Sequence, residues 1–306
     1  MHTIDTATAP ESPATPGVVS VRSWRLPRFA FLTALLALVG ALIFMYPTAA
    51  GWFNQLDQSR IIASVGSAVQ QESPTVLEAE ILRAQRYNEA LVGGALLSPN
   101  SNLPTSESST TADLEYDQLL RADADGAMAR LRVPSIRVDL PIYHGTSDET
   151  LERGVGHLQG TSLPVGGASQ HAVLTAHRGL ASAELFNNLD RVVVGDTFTI
   201  EVFGEVLTYR VITTQVVQPD DSQALRPQLG NDLVTLVTCT PLGINTHRIL
   251  VTGERVLPTP ISDLERAGEA SEVPGFPWWM VGLGVFVIVL GAYVWRMGRI
   301  EVAVQT

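Results

Sequence analysis

Thr197–Val217, TFTIEVFGEVLTYRVITTQVV, is the stretch that decides the fold class. It is dense in β-branched and aromatic residues and reads as three β runs, Thr197 to Val202, Val206 to Ile212 and Thr214 to Val217, with Gly204 as punctuation. Similar runs lie upstream at Ala127 to Val133, Val138 to Ile142 and Ala172 to Ala176, and downstream at Leu233 to Thr238 and Arg248 to Glu254. Gly, Pro, Asn and Asp separate them. Eight short runs within residues 127–254 predict a mainly β domain, a barrel or a sandwich.

Outside this block the composition changes. Phe29–Tyr46 and Trp278–Trp295 are each 18 residues long without a charge. As helices each spans about 27 Å at ~1.5 Å per residue, enough to cross a bilayer. Thr48-Ala49-Ala50 loosely resembles a signal-peptide cleavage site, but an apolar stretch this long favours a retained anchor. Arg22, Arg25 and Arg28 precede the first segment and Arg296 and Arg299 follow the second. Both termini are therefore expected in the cytoplasm and the middle outside the cell membrane. All five Trp flank the two segments, where amphipathic rings favour the membrane boundary.

The expected organisation is a cytoplasmic tail (1–25), a transmembrane helix (26–48), an extracellular helical region (49–95), a flexible loop (96–116), the β domain (117–256), a linker (257–277), a second transmembrane helix (278–295) and a cytoplasmic tail (296–306). Trp52 to Gln70 has helical spacing. Ser73-Pro74 supplies an N-cap and first turn for a second helix to about Leu91, closed by Gly93 and Gly94. Ser98 to Thr111 is rich in Ser, Thr and Pro, which marks a loop.

Residues 48–276 carry 28 Asp plus Glu against 15 Arg, a formal charge of −13. Phosphate binding needs concentrated positive charge, so nucleic acid is excluded as a partner. The 306 residues include no lysine, and all 20 basic residues are arginine. That composition fits coding bias, and it also removes every side-chain amine. A single cysteine precludes an intramolecular disulfide, and a lone exterior thiol is either buried and inert or used.

Cys239 ends the apolar run Thr235-Leu236-Val237-Thr238, and a turn-like segment with Gly243 and Asn245 leads to Arg248 at the start of the next run. Antiparallel neighbours so joined bring Cys239 and Arg248 to one end of the sheet. His177 also ends a β run and is followed by Arg178-Gly179. A free thiol, pKa ~8.5, needs a nearby base or cation to present thiolate. His177 can serve as acid/base and Arg248 can hold a developing oxyanion. Spacing alone also admits a buried Cys beside surface His and Arg.

The segments themselves are more specific. Thr235-Leu236-Val237-Thr238-Cys239 resembles the TLxTC signature of sortases, Asn245-Thr246-His247-Arg248 their arginine segment, and Thr175-Ala176-His177-Arg178-Gly179 their histidine segment. Pro141-Ile142-Tyr143-His144-Gly145-Thr146, Gly154-Val155-Gly156-His157-Leu158 and Gly160-Thr161-Ser162-Leu163-Pro164 resemble class C, pilin-polymerising sortases, as does the second membrane helix. The resemblance implies an eight-stranded sortase-type β-barrel over 117–256, with N-terminal helices, and His177, Cys239 and Arg248 as catalytic residues. It implies cleavage of an LPxTG-like sorting signal, a thioacyl intermediate on Cys239, and transfer to a pilin lysine amine. No metal or other cofactor is implied.

The loop at 96–116 stands where class C enzymes carry a lid, but no Asp-Pro-aromatic triplet occurs between Tyr87 and Tyr116. Leu103-Pro104-Thr105-Ser106 resembles part of a sorting signal, a match that chance in such a loop also produces. Thr238 either lines the peptide site or is a core β residue. His144, His157 and His171 read as structural, with no zinc spacing. His247 is expected on the face opposite Arg248, and Asp190 and Asp196 either orient a histidine or, the preferred reading, sit in turns. The main rival function is a housekeeping sortase that anchors surface proteins to peptidoglycan. A papain-like hydrolase lacks its Cys-flanking signature here, and a noncatalytic binding module leaves the three reactive residues without a use.

Overall fold

Phe198, Ile200 and Val202 are buried while their neighbours are not, the period of two that puts alternate side chains on one sheet face. The computed structural model describes residues 18–91, 116–122, 126–271 and 273–305. The loop expected at 98–111, with Leu103-Pro104-Thr105-Ser106, lies outside them. The strands are β1 (Val18–Trp24), β2 (Ala127–Val133), β3 (Val138–His144), β4 (Val155–His157), β5 (Gln170–Thr175), β6 (Thr197–Val202), β7 (Glu205–Val217), β8 (Asp232–Thr240), β9 (His247–Arg255) and β10 (Arg299–Gln305). Strands β2 to β9 close a barrel in the order β2-β3-β4-β5-β8-β9-β7-β6. Of the two expected architectures, the sandwich is therefore excluded.

The barrel differs from the expected runs at two places that compensate in number. Thr213 does not separate two strands; β7 is continuous, and a register shift between Val211 and Thr213 absorbs the irregularity. The three-residue β4 went unpredicted because glycines flank its only apolar residue. Gly156 is required there by space, since a Cβ would meet the Gly145 carbonyl and lie 2.9 Å from Leu151 Cδ2. The β6–β7 connection is a two-residue turn with φ of 46° at Phe203 and 86° at Gly204, the signs of a type I′ hairpin.

The N-terminal region departs from expectation more. The first membrane helix and the following helical stretch form one helix, α1 (Arg28–Gln71), which carries Pro47 internally. Helix α2 (Pro74–Ala90) begins where expected, but the Ser73 hydroxyl meets the Thr75 hydroxyl at 3.1 Å and caps no backbone amide. Asn88 seats α2 on the barrel: its amide donates to Leu163 O at 3.0 Å and its Oδ1 accepts from Leu163 N at 2.6 Å. A short helix, α3 (Asp148–Arg153), precedes β4.

The segment expected as a linker is anchored by hydrogen bonds to the barrel strands. It includes helix α4 (Ile261–Glu265), and the Thr208 hydroxyl donates to Asp263 at 2.8 Å. Arg130, 4% exposed, makes two 2.7 Å hydrogen bonds to Asp139 and donates to Glu269 O. Arg132 reaches Arg266 O and the Glu269 carboxylate, and Trp52 Nε1 donates to Gly275 O at 2.8 Å. The charges that dock this segment lie on β2 and β6, remote in sequence.

The described residues of 18–46 and 277–305 form a second unit. Its C-terminal helix is α5 (Trp278–Met297). Both α1, with a segment of mean hydropathy 2.4, and α5, at 1.9, are long and apolar enough to cross a membrane. The described ends are not irregular tails: β1 and β10 pair antiparallel from Val18↔Gln305 to Trp24↔Arg299.

Candidate active site

Strand β8 is the scaffold of the site. Its left neighbour β5 runs parallel, with Thr175 opposite Val237, and its right neighbour β9 runs antiparallel, with Arg248 opposite Cys239. Cys239 is half-buried, as are His177 and Arg248. The six residues before the cysteine, Leu233 to Thr238, are buried and fix the strand. The thiol is therefore held at the rim of a rigid core rather than inside it.

His177 follows β5 by two residues, and the chain there is stitched to β8. Ala176 N donates to Val237 O at 3.2 Å, and the Thr238 hydroxyl returns to Ala176 O at 2.8 Å. The residue before the histidine is thus bonded to the two residues before the cysteine. Thr238 itself is 1% exposed with its hydroxyl used in this tie. Of its two expected roles, core β residue is the one this geometry fits.

Arg178 was not singled out by sequence, yet it braces the site. Its Nη1 donates to the Thr240 hydroxyl at 3.1 Å, Nε to Asn187 O at 3.1 Å, and Nη2 pairs with Asp190 at 2.8 Å. The only sequence signal was its place directly after His177. Asp190 therefore holds an arginine rather than a histidine, and Asp196 accepts from Val193 N within its turn. Gly179, with φ of 82°, packs so closely that a Cβ would lie 2.9 Å from Leu242 Cδ2. The histidine turn and the loop after the cysteine are in van der Waals contact.

Arg248 donates through Nη1 to Asn245 O at 2.9 Å and His247 O at 3.1 Å. Asn245 turns the chain at φ 60° to present that carbonyl. Among the described residues, Nε and Nη2 of Arg248 have no protein acceptor, so guanidinium donors remain for another ligand. His247 bonds Gln218 and Thr246 instead.

His157 and His171 are structural, as expected. The His157 Nε2–H donates to Ser162 O at 2.8 Å, which leaves Nδ1 to accept from the Tyr116 hydroxyl at 2.8 Å. Burial lowers the His157 pKa to about 4, and burial also lowers those of His144 and His171. His171 lies between Arg226 O and the Thr235 hydroxyl. A histidine with a depressed folded pKa stays neutral while the unfolded chain takes up protons, so stability falls as pH drops from about 6.5 toward 4. For His157 alone the loss at pH 5 relative to pH 8 is about 2 kcal/mol. Thermal unfolding at both pH values, for wild type and His157→Gln, checks this: the wild-type difference should shrink in the variant, and an equal difference would assign it to other groups.

Residues 131–256 match the family model of the sortase domain. Sortase C-1 of Actinomyces oris is 47% identical, over 60% of this chain and 99% of that one, with a TM-score of 0.55. Sortase C1 of Streptococcus agalactiae is 39% identical, over 66% and 100%, with a TM-score of 0.60. Among curated relatives, Sortase D of Bacillus subtilis is 30% identical over 129 residues, and the match spans 62% of its length. The chain belongs to the sortase family, whose members are cysteine transpeptidases. Solved structures it is similar to include class C sortases.

Proposed function

We propose that this protein is a class C sortase that joins pilin subunits through isopeptide bonds. The observation that carries the reading is the register of Cys239 opposite Arg248, with the His177 turn tied to the same strand end. In the proposed cycle the Cys239 sulfur attacks the threonine carbonyl of an LPxTG-like signal. The developing oxyanion is held by the spare Arg248 donors. His177 protonates the departing glycine amine, leaving a thioester on Cys239. A lysine amine of the next pilin subunit then attacks the thioester and gives up its proton, and an amide replaces the thioester as the thiol is restored.

The membrane reading belongs to the same proposal. Both apolar helices span the cell membrane, the arginines at the two chain ends lie on the cytoplasmic side, and the barrel faces outward. Pilins reach the site from outside. The Sortase C of Streptococcus pneumoniae, 38% identical over all of that chain with a TM-score of 0.58, was analysed for its pilin substrate specificity, which supports the same substrate class here. With no lysine in the sequence, the acyl-enzyme has no side-chain amine of its own to attack.

The test offers the full-length protein an LPxTG-like peptide with two acceptors together, a lysine-bearing pilin fragment and a peptidoglycan stem peptide. Mass spectrometry of the products should find the pilin isopeptide in excess. Products on the stem peptide alone would make it a cell-wall anchoring sortase, and hydrolysis alone would remove transpeptidation from the account.

A further inference from the structure

The paired chain ends gather basic residues from opposite ends of the sequence. Arg25 N donates to Gly298 O at 3.0 Å, Trp24 Nε1 to Trp295 O at 3.3 Å, and Trp24 stands opposite Arg299 in the β1–β10 register. Arg25 and Arg28 on one side and Arg296 and Arg299 on the other are all exposed. Among the residues whose side chains are described, no carboxylate lies within ion-pair distance of any of the four. The Arg299 guanidinium sits 3.6 Å from the centre of the Trp295 ring, which orients it without neutralising it.

Two further features bear on this cluster. Arg28 opens α1, whose first turn has no acidic residue, and a helix N-terminus adds its own partial positive charge. A cation there is disfavoured unless an anion joins it. Gly298, in turn, makes the convergence possible. A Cβ at this position would meet the Trp24 indole nitrogen and lie 2.8 Å from Arg25 O. Only glycine lets the end of α5 approach Trp24 and Arg25, at the end of β1, so closely.

We propose that Arg25, Arg28, Arg296 and Arg299, brought together at Gly298, form a binding site for the phosphate of an anionic phospholipid headgroup. Guanidinium groups offer paired N–H donors to phosphate oxygens. The apolar helices α1 and α5 continue directly from these arginines, so a lipid with its tail along the helices presents its phosphate at this depth. The site adds to the sortase reading and uses the proposed orientation only to say that the inner leaflet supplies the lipid.

Full-length protein in nanodiscs of mixed phosphatidylglycerol and phosphatidylcholine, the same in both leaflets, tests the site whatever the orientation. Spin-labelled lipids report the relative association of each class. The wild type should prefer phosphatidylglycerol by about fivefold or more, since each arginine near an anionic surface contributes. Replacing all four arginines by glutamine should bring the ratio to near unity. Gly298→Ala keeps every charge and should lower the ratio to an intermediate value, and circular dichroism with substrate cleavage verifies folding in both variants. Excess inorganic phosphate should leave the preference in place. Equal association of both lipids with wild type, an unchanged ratio in the four-arginine variant or in Gly298→Ala, or abolition by inorganic phosphate would each overturn the proposal. Protease accessibility of a C-terminal tag on intact cells tests the orientation separately.

Discussion

Cys239→Ser is expected to lower transpeptidation by on the order of 10⁴-fold or more, the scale of removing a nucleophile from a catalytic group that acts as a unit. A serine hydroxyl fits the half-buried strand end, so the barrel should fold and melt as the wild type does. It lacks the thiol's accessible ionisation, which the mechanism requires. Steady-state cleavage of an LPxTG-like peptide, with thermal unfolding as the control, measures both halves. A serine variant with near-normal turnover would remove Cys239 from the chemistry.

Arg248→Lys should lower kcat by on the order of 10²-fold or more, the usual effect of losing one oxyanion donor. The Nη1 group of Arg248 already holds the Asn245 and His247 carbonyls, and the remaining donors of the planar fork are what the proposal uses. A lysine ammonium has three donors at one point and cannot hold the loop and face the substrate in the same geometry. Strand β9 should persist, because Ile249, Leu250 and Val251 after it are buried. Kinetics over a range of peptide concentrations separate the outcomes. A fall in kcat fits an oxyanion role, whereas a rise in KM with kcat intact would limit Arg248 to peptide binding.

The candidate site was more legible in sequence than its supports. Cys239 and Arg248 end and begin successive apolar runs, so one turn between them sets their pairing. His177 was visible as the end of another run, but its neighbour relation to β8 was not. That relation is a parallel pairing across 62 residues, carried by the Thr175–Val237 and Thr238–Ala176 bonds. Arg178 escaped notice for the same reason: its partners Thr240 and Asp190 come from separate segments. Local pattern also failed where packing overrides it. Glycines 154 and 156 conceal β4, α1 runs on through the expected boundary between 48 and 49, and arginines of β2, remote in sequence, dock the segment expected as a linker. The β1–β10 pair was missed because each strand lies next to a long apolar helix and its partner is at the other end of the chain.

The most direct test of the central claim is the covalent state of Cys239 during turnover. Full-length protein mixed with an LPxTG-like peptide without an amine acceptor, quenched in acid and digested, should yield the Cys239 peptide carrying the acyl half of the substrate, ending at threonine. Adding a lysine-bearing pilin fragment before the quench should discharge that adduct as isopeptide product appears. Cleavage of the peptide with no acyl group on Cys239 at any time, or an adduct that a lysine amine does not discharge, would contradict the account.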